Sequence, residues 1–108
     1  MNQAEALFKV KPDDWSSFAQ QLGEETDRGA VMVGVAFMDH LLARLIESFI
    51  VDNRDLAKQL LKGPLAPISS FSARILLAFT LGLIAEDEYH DLEVIREIRN
   101  MYAHQLTN

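Results

Sequence analysis

The C-terminal stretch RNMYAH, residues 99–104, holds side chains that could handle a phosphate group. Arg99 offers a planar fork of N–H donors that matches a phosphate, and histidine is the side chain whose unperturbed pKa lies near neutrality. Such a pair could support metal-independent RNA cleavage. His104 would be the general base that takes the 2′-hydroxyl proton, and Arg99 would stabilise charge on the phosphate. Asn100 would orient one of the two by a hydrogen bond.

The spacing of this candidate site decides whether its parts can meet. Five residues along an α-helix rotate His104 by about 140° from Arg99, so the two side chains do not share a helix face. They converge if the helix ends near Ala103 and His104 turns back, or if a second subunit presents its own pair. The plain alternative is a helix end at which Arg99 pairs with a nearby acid and His104 lies in solvent.

Other catalytic and metal chemistry has little support. The three histidines, His40, His90 and His104, do not fall at HxxxH or HExxH spacing, and the chain has no cysteine. We therefore expect no metal site and no cofactor. The serines between residues 69 and 72 are better explained as helix-start residues than as nucleophiles, and the sequence has no Gly-rich phosphate loop.

Composition and charge limit the classes of partner. The chain has 108 residues, 49% of them apolar and 24% charged, which is typical of one soluble domain. Its net charge of −6 argues against duplex DNA, because neutralising phosphates needs clustered Lys and Arg. The N-terminus lacks a signal peptide's apolar region, and the longest uncharged runs are too short to cross a bilayer. We expect a cytoplasmic protein without membrane contact.

The hydrophobic pattern predicts an all-α fold, a compact bundle of four to five helices. Residues 1–12 form a poorly ordered N-terminal segment, and residues 13–108 form a single helical domain. Caps are expected at Asp13 or Asp14, at Thr26 or Asp27, and at Ser69 or Ser70. The predicted helices cover residues 14–25, 26–52, 53–62 and 71–84, with a last helix starting at AEDE, residues 85–88. The two most apolar helices should pack antiparallel.

Predicted packing leads to a prediction about assembly. Along the last helix, Leu92, Ile95, Ile98 and Met101 are expected to form the buried stripe. The helices at 29–49 and 71–84 carry more apolar surface than one small bundle covers, so we expect a two-fold homodimer.

The charges in these segments lead to further expectations. Arg28 and Arg74 should each pair with an acid or extend to the surface. The candidate partner of Arg28 is Glu24 or Glu25, and that of Arg74 is an acid of the last helix such as Asp91. The acidic run EDEYHDLE, residues 86–93, suits a solvated helix start. Its alternative role is a docking surface for a basic partner.

Several motifs in order resemble the mannitol-operon repressor family of bacterial transcriptional regulators. They are Asp-Arg-Gly-Ala at the start of the long helix, then Gly-Pro-Leu, Phe-Ser-Ala-Arg, Ala-x-x-Leu-Gly-Leu-Ile, Glu-Tyr-x-Asp-Leu and Ile-Arg-x-Ile-Arg-Asn-x-x-Ala-His. The resemblance runs from about Glu25 to His104. It implies an all-helical regulator of sugar-alcohol uptake. Since the sequence lacks a helix-turn-helix signature and is acidic, regulation would run through protein–protein contacts.

The ending Arg99-Asn100-x3-His104 also resembles the Arg-x4–6-His motif of the HEPN superfamily. That resemblance implies a dimeric helical domain whose two motifs build one cleft. It also implies a metal-independent RNase with catalytic Arg99, Asn100 and His104, and an antitoxin as its protein partner. Related sequences generally continue with another helix, so we expect that residues 13–108 lack a final helix found in relatives.

Overall fold

The computed structural model describes the backbone of residues 12–105 and the side chains of residues 16–104. Within that range the predicted all-α fold is confirmed, since five helices and no strand are present. The expected poorly ordered segment falls outside the described residues up to position 11, and Pro12 already begins a helix. The helices are α1 (Pro12–Glu24), α2 (Asp27–Phe49), α3 (Arg54–Leu61), α4 (Phe71–Thr80) and α5 (Glu86–Gln105).

Three helices begin at side chains that satisfy free backbone N–H groups. The Thr26 hydroxyl accepts from Gly29 N, and the Ser70 hydroxyl accepts from Ala73 N, each at 3.1 Å. The Asn53 side chain accepts from two backbone N–H groups at the start of α3. N-capping of this kind replaces bonds that the first turn of a helix cannot make internally. The expected caps at Thr26 and Ser70 are therefore confirmed, whereas the cap expected at Asp13 or Asp14 is wrong because both residues lie inside α1.

Helix α4 ends at Thr80, four residues before the predicted boundary at Ile84. Gly82 adopts a φ of 75°, the left-handed region that favours glycine. The N–H of Gly82 donates to the Phe79 carbonyl, and the N–H of Leu83 donates to the Ala78 carbonyl. This paired arrangement is the Schellman motif. It turns the chain directly into α5.

The core lies where α2, α4 and α5 meet. Its buried side chains are Val35, Leu42, Leu45, Phe71, Ile75, Ala78 and Ile84. Tyr89, Leu92 and Ile95 of α5 pack against this cluster while remaining partly exposed. Helix α1 packs on α2, where the Phe18 and Phe37 rings stack with centroids 4.2 Å apart. The short helix α3 buries Ala57 and Leu61.

Contacts along the bundle fix the directions of the helices. Phe79 stacks on Tyr89, and Arg99 lies over Phe71, so α4 and α5 are antiparallel. The groove shared by α2 and α5 pairs the N-terminal half of α2 with the C-terminal half of α5, so these helices are antiparallel too. Helices α2 and α4 therefore start at the same end of the bundle. The expected antiparallel pairing of the two apolar helices is wrong.

Helix α2 is unusually apolar for a helix of this domain. By length and composition alone it is able to cross a membrane, although a core helix of a soluble protein meets the same criterion. Only 28% of its most apolar window is buried within the single chain. Most of its other apolar residues are half-buried, and Met32 and Phe49 are its exposed large apolar side chains.

Candidate functional site

The Arg99 side chain is held in place by two neighbours. Its Nε and Nη2 donate to the Asn100 Oδ1 at 3.3 and 3.1 Å. Its guanidinium carbon lies 5.7 Å from the centroid of the buried Phe71 ring, within cation–π range. No carboxylate among the described residues pairs with Arg99. Arg99 therefore lacks the acidic partner expected if the motif were only a helix end. The bond to Asn100 is of the kind that the phosphate-site hypothesis requires.

His104 does not turn back toward Arg99. Helix α5 continues through His104 to Gln105, so the rotation of about 140° between the two side chains is kept. The His104 side chain is exposed, whereas Arg99 and Asn100 are half-buried. Arg99 and His104 therefore do not meet by a turn of the chain at the end of the helix. Within one chain the structure brings together Arg99 and Asn100, and it leaves His104 on another side of the helix.

The end of the bundle that carries this motif brings together helix ends of opposite dipole. Because α5 is antiparallel to α2 and α4, its C-terminal turns lie beside the N-terminal ends of those two helices. Helix N-termini carry partial positive charge. The six acids of α5 lie between residues 86 and 97, before the motif. Among them Glu93 bonds Arg96 at 2.8 Å, and this hydrogen bond raises the pKa of Arg96.

Arg28 lies at the same end of the bundle as the motif, and its side chain does not form the predicted ion pair. Its Nη2 is buried and has no hydrogen-bond partner. The ion pairs of the described residues do not include Arg28, so the predicted pairing with Glu24 or Glu25 is wrong. The Glu25 carboxylate instead lies over the helix start, where a Cβ on Gly29 would collide with it. An acid placed there gains from the positive end of the helix. It is thereby lost as a partner for the guanidinium.

A surface that the sequence did not predict lies on α5. Val94, Ile98 and Met101, here called the α5 stripe, recur at i, i+4 and i+7 and share one helix face. They are 53%, 38% and 64% exposed. The predicted inward packing of Ile98 and Met101 is therefore wrong. Ile98 also borders an apolar groove of about 180 Å³ between α2 and α5. An exposed stripe beside an apolar groove forms one continuous apolar surface.

The predicted ion pair of Arg74 also differs in its partner. Arg74 Nη1 lies 3.0 Å from the Asp39 carboxylate on α2, not near Asp91. The same guanidinium donates to the carbonyl oxygens of Leu61 and Ile68. Arg74 thus ties α4 to α2, to the end of α3 and to the following loop. It is a structural link between these segments.

The remaining histidines and acids do not assemble a metal centre in the part of the chain that the structure describes. His40 borders a cavity of about 460 Å³ between α1 and α2, together with Ser17, Gln21 and Arg44. His90 lies 3.8 Å from Glu86 on the surface of α5. The three histidines therefore occupy three separate surfaces.

Comparison with models of protein families, with curated proteins and with solved structures gives no match. The resemblances to mannitol-operon repressors and to HEPN domains therefore rest on the sequence motifs alone.

Proposed function

We propose that this chain is a regulator-like domain of the mannitol-operon repressor type that acts in the cytoplasm through protein–protein contacts. The α5 stripe is the observation that supports this most directly. Three large apolar side chains on one helix face are exposed and border an apolar groove. Extended apolar patches on soluble domains usually mark interaction sites.

The first partner of the α5 stripe is a second copy of the chain. The groove beside the stripe has α2 as its other wall, and Met32 on α2 is exposed as well. In a two-fold interface the same patch of both subunits meets itself, so one contact covers α2 and α5 together. The exposed acids at the start of α5 remain available to a basic regulatory protein; they are Glu86, Asp87, Glu88 and Asp91.

A genetic experiment tests the regulatory function. A strain lacking the gene is complemented with the wild type, with Ile98→Glu or with Leu65→Glu, and transcripts of the sugar-alcohol uptake genes of that strain are measured. Leu65 is 95% exposed and lies outside the stripe, so it matches the charge change without touching the surface. We expect the wild type and Leu65→Glu to restore regulation and Ile98→Glu to fail. Transcripts that do not respond to deletion of the gene would end the proposal.

Metal-independent RNA cleavage is the second candidate, supported by the Arg99–Asn100 hydrogen bond. A dimer built on the α5 stripe does not favour it. Helix geometry places Arg99 roughly 130° from the centre of the stripe and His104 roughly 90° away on the other flank. Pairing through the stripe therefore leaves the Arg99 guanidinium over Phe71 and away from the partner.

Cleavage of bulk RNA in EDTA separates the two candidates. A regulator is expected to leave the RNA intact. If the wild type cleaves, His104→Ala should lower the rate about 100-fold or more, the usual effect of removing a general base. His90→Ala is the matched control, since His90 is an exposed histidine on the same helix. Cleavage that survives His104→Ala would remove the catalytic assignment of the motif.

A further inference from the structure

A basic pocket lies where the short helix α3 meets the end of α2. Arg54 and Lys58 are four residues apart on one side of α3, and Lys62 follows as its C-cap residue. Together with Ala57 and with Glu47 from the last turn of α2, they line a cavity of about 280 Å³. Because the last turn of α2 and the last turns of α5 lie at opposite ends of the bundle, this pocket is separate from the Arg99 motif.

The three cations of the pocket have no partner within the described residues. No side-chain hydrogen bond or ion pair joins them to Glu47 or to another described side chain. The ion pairs of the described residues all lie elsewhere and are Arg74–Asp39, His90–Glu86 and Arg96–Glu93. The chain as a whole is acidic, with a net charge of −6. Three of its ten Lys and Arg residues nevertheless surround one small cavity. The local charge is opposite in sign to that of the molecule.

Helix stability does not account for this arrangement. Like charges four residues apart on a helix repel each other. Arg54 is the first residue of α3, where a positive charge also opposes the helix dipole. Lys58 and Lys62 near the C-terminus suit the dipole, but that does not explain Arg54. An anion in the cavity would turn all three charges from a local cost into a source of binding energy.

The helix that carries the cations of the pocket is held in place before any ligand arrives. The Asn53 side chain caps the start of α3 with bonds of 3.1 Å to Asp55 N and Leu56 N. At the other end Arg74 Nη2 donates to the Leu61 carbonyl at 2.6 Å. Buried Ala57 and Leu61 anchor the helix between these points. A pre-formed site loses less entropy when it binds a ligand.

We propose that this pocket binds a small phosphate monoester that carries hydroxyl groups. Arg54 gives a fork of donors for phosphate oxygens, and the two lysines add compact positive charges. Glu47 would accept a hydrogen bond from a ligand hydroxyl, and its negative charge disfavours a second phosphate in the same cavity. The volume is near the lower limit of small-molecule sites. It therefore suits a compact monoester and not a polynucleotide strand.

Titration followed by amide NMR shifts tests the site on the intact protein. Glycerol 3-phosphate and, separately, inorganic phosphate are added to millimolar concentration at low ionic strength, and shifts of the α3 amides are followed. We expect saturable shifts on α3 with both probes and tighter binding of glycerol 3-phosphate. Lys58→Gln should weaken affinity about tenfold, the loss of one charge-assisted hydrogen bond. Arg44→Gln, which removes one exposed cation outside the pocket, should keep the wild-type affinity.

Three results would overturn the proposal. The first is the absence of saturable α3 shifts with both probes. The second is an equal loss of affinity in Arg44→Gln, which would show a dependence on net charge alone. The third is displacement of glycerol 3-phosphate by a short single-stranded oligonucleotide without terminal phosphates, which would assign the cations to a nucleic-acid backbone. Unchanged spectra outside α3 in Lys58→Gln confirm that the variant is folded.

Discussion

Arg74 on α4 and Asp39 on α2 form an ion pair of 3.0 Å that joins the two most apolar helices of the bundle. The Arg74 side chain is only 11% exposed, and its remaining donors bond the carbonyl oxygens of Leu61 and Ile68. One guanidinium thus satisfies acceptors on three segments of chain. The arrangement is a cross-link, because removing it leaves each of these acceptors without its donor.

Replacing Arg74 with Met should therefore be strongly destabilising. We expect the free energy of unfolding to fall by about 3 kcal/mol, since the Met side chain cannot donate hydrogen bonds to the partly buried carboxylate and the two carbonyls. Urea denaturation at fixed protein concentration measures the change. Arg74→Lys keeps the charge but loses the planar set of donors, so its free energy of unfolding should lie between those of the wild type and Arg74→Met. A loss below about 1 kcal/mol in Arg74→Met would mean that water replaces the guanidinium easily.

Arg28 should behave in the opposite way to Arg74. Its buried Nη2 has no hydrogen-bond partner, and an unsatisfied buried donor costs about 1–3 kcal/mol. Arg28→Met keeps an unbranched apolar stem and removes that donor, so we expect the thermal midpoint to rise. Arg44→Met, at an exposed position of the same helix, should leave it unchanged. A lower midpoint in Arg28→Met would show that the guanidinium has a stabilising role in the single chain.

The turn between α4 and α5 depends on a single glycine. Gly82 has a φ of 75° in the Schellman motif, and a left-handed conformation costs other L-residues about 1–2 kcal/mol. Gly82→Ala should lower the free energy of unfolding by that amount. Gly23→Ala is the control, because Gly23 is helical with open space around it, and it should be neutral or stabilising. Equal effects of the two substitutions would rule out the proposed role of the turn.

The sequence predicted correctly those features that depend on interactions between near neighbours in the chain. The Thr26 and Ser70 caps and the all-α fold followed from side chains that act on their own backbone neighbours. The partner of Arg74 did not follow, because Asp39 lies 35 positions away. Only the packing of α2 against α4 brings them together.

Met101 shows why the predicted buried stripe was partly wrong. Leu92, Ile95, Ile98 and Met101 are three residues apart, and each such step falls about 60° short of a full helical turn. Over three steps the drift reaches about 180°, so Leu92 faces the core while Met101 faces outward. The sequence shows which side chains the candidate site would contain. The direction in which His104 points depended on where α5 ends.

The assembly state of the wild-type chain in solution is the most direct test of the proposed interaction function. Light scattering and sedimentation equilibrium at tens of micromolar should give twice the 12.2 kDa chain mass. Ile98→Glu should give the mass of one chain with unchanged helical content, because a carboxylate buried in an apolar interface is costly. Leu65→Glu should remain a dimer. A wild-type protein that is strictly monomeric, or an Ile98→Glu variant that stays dimeric, would contradict the account.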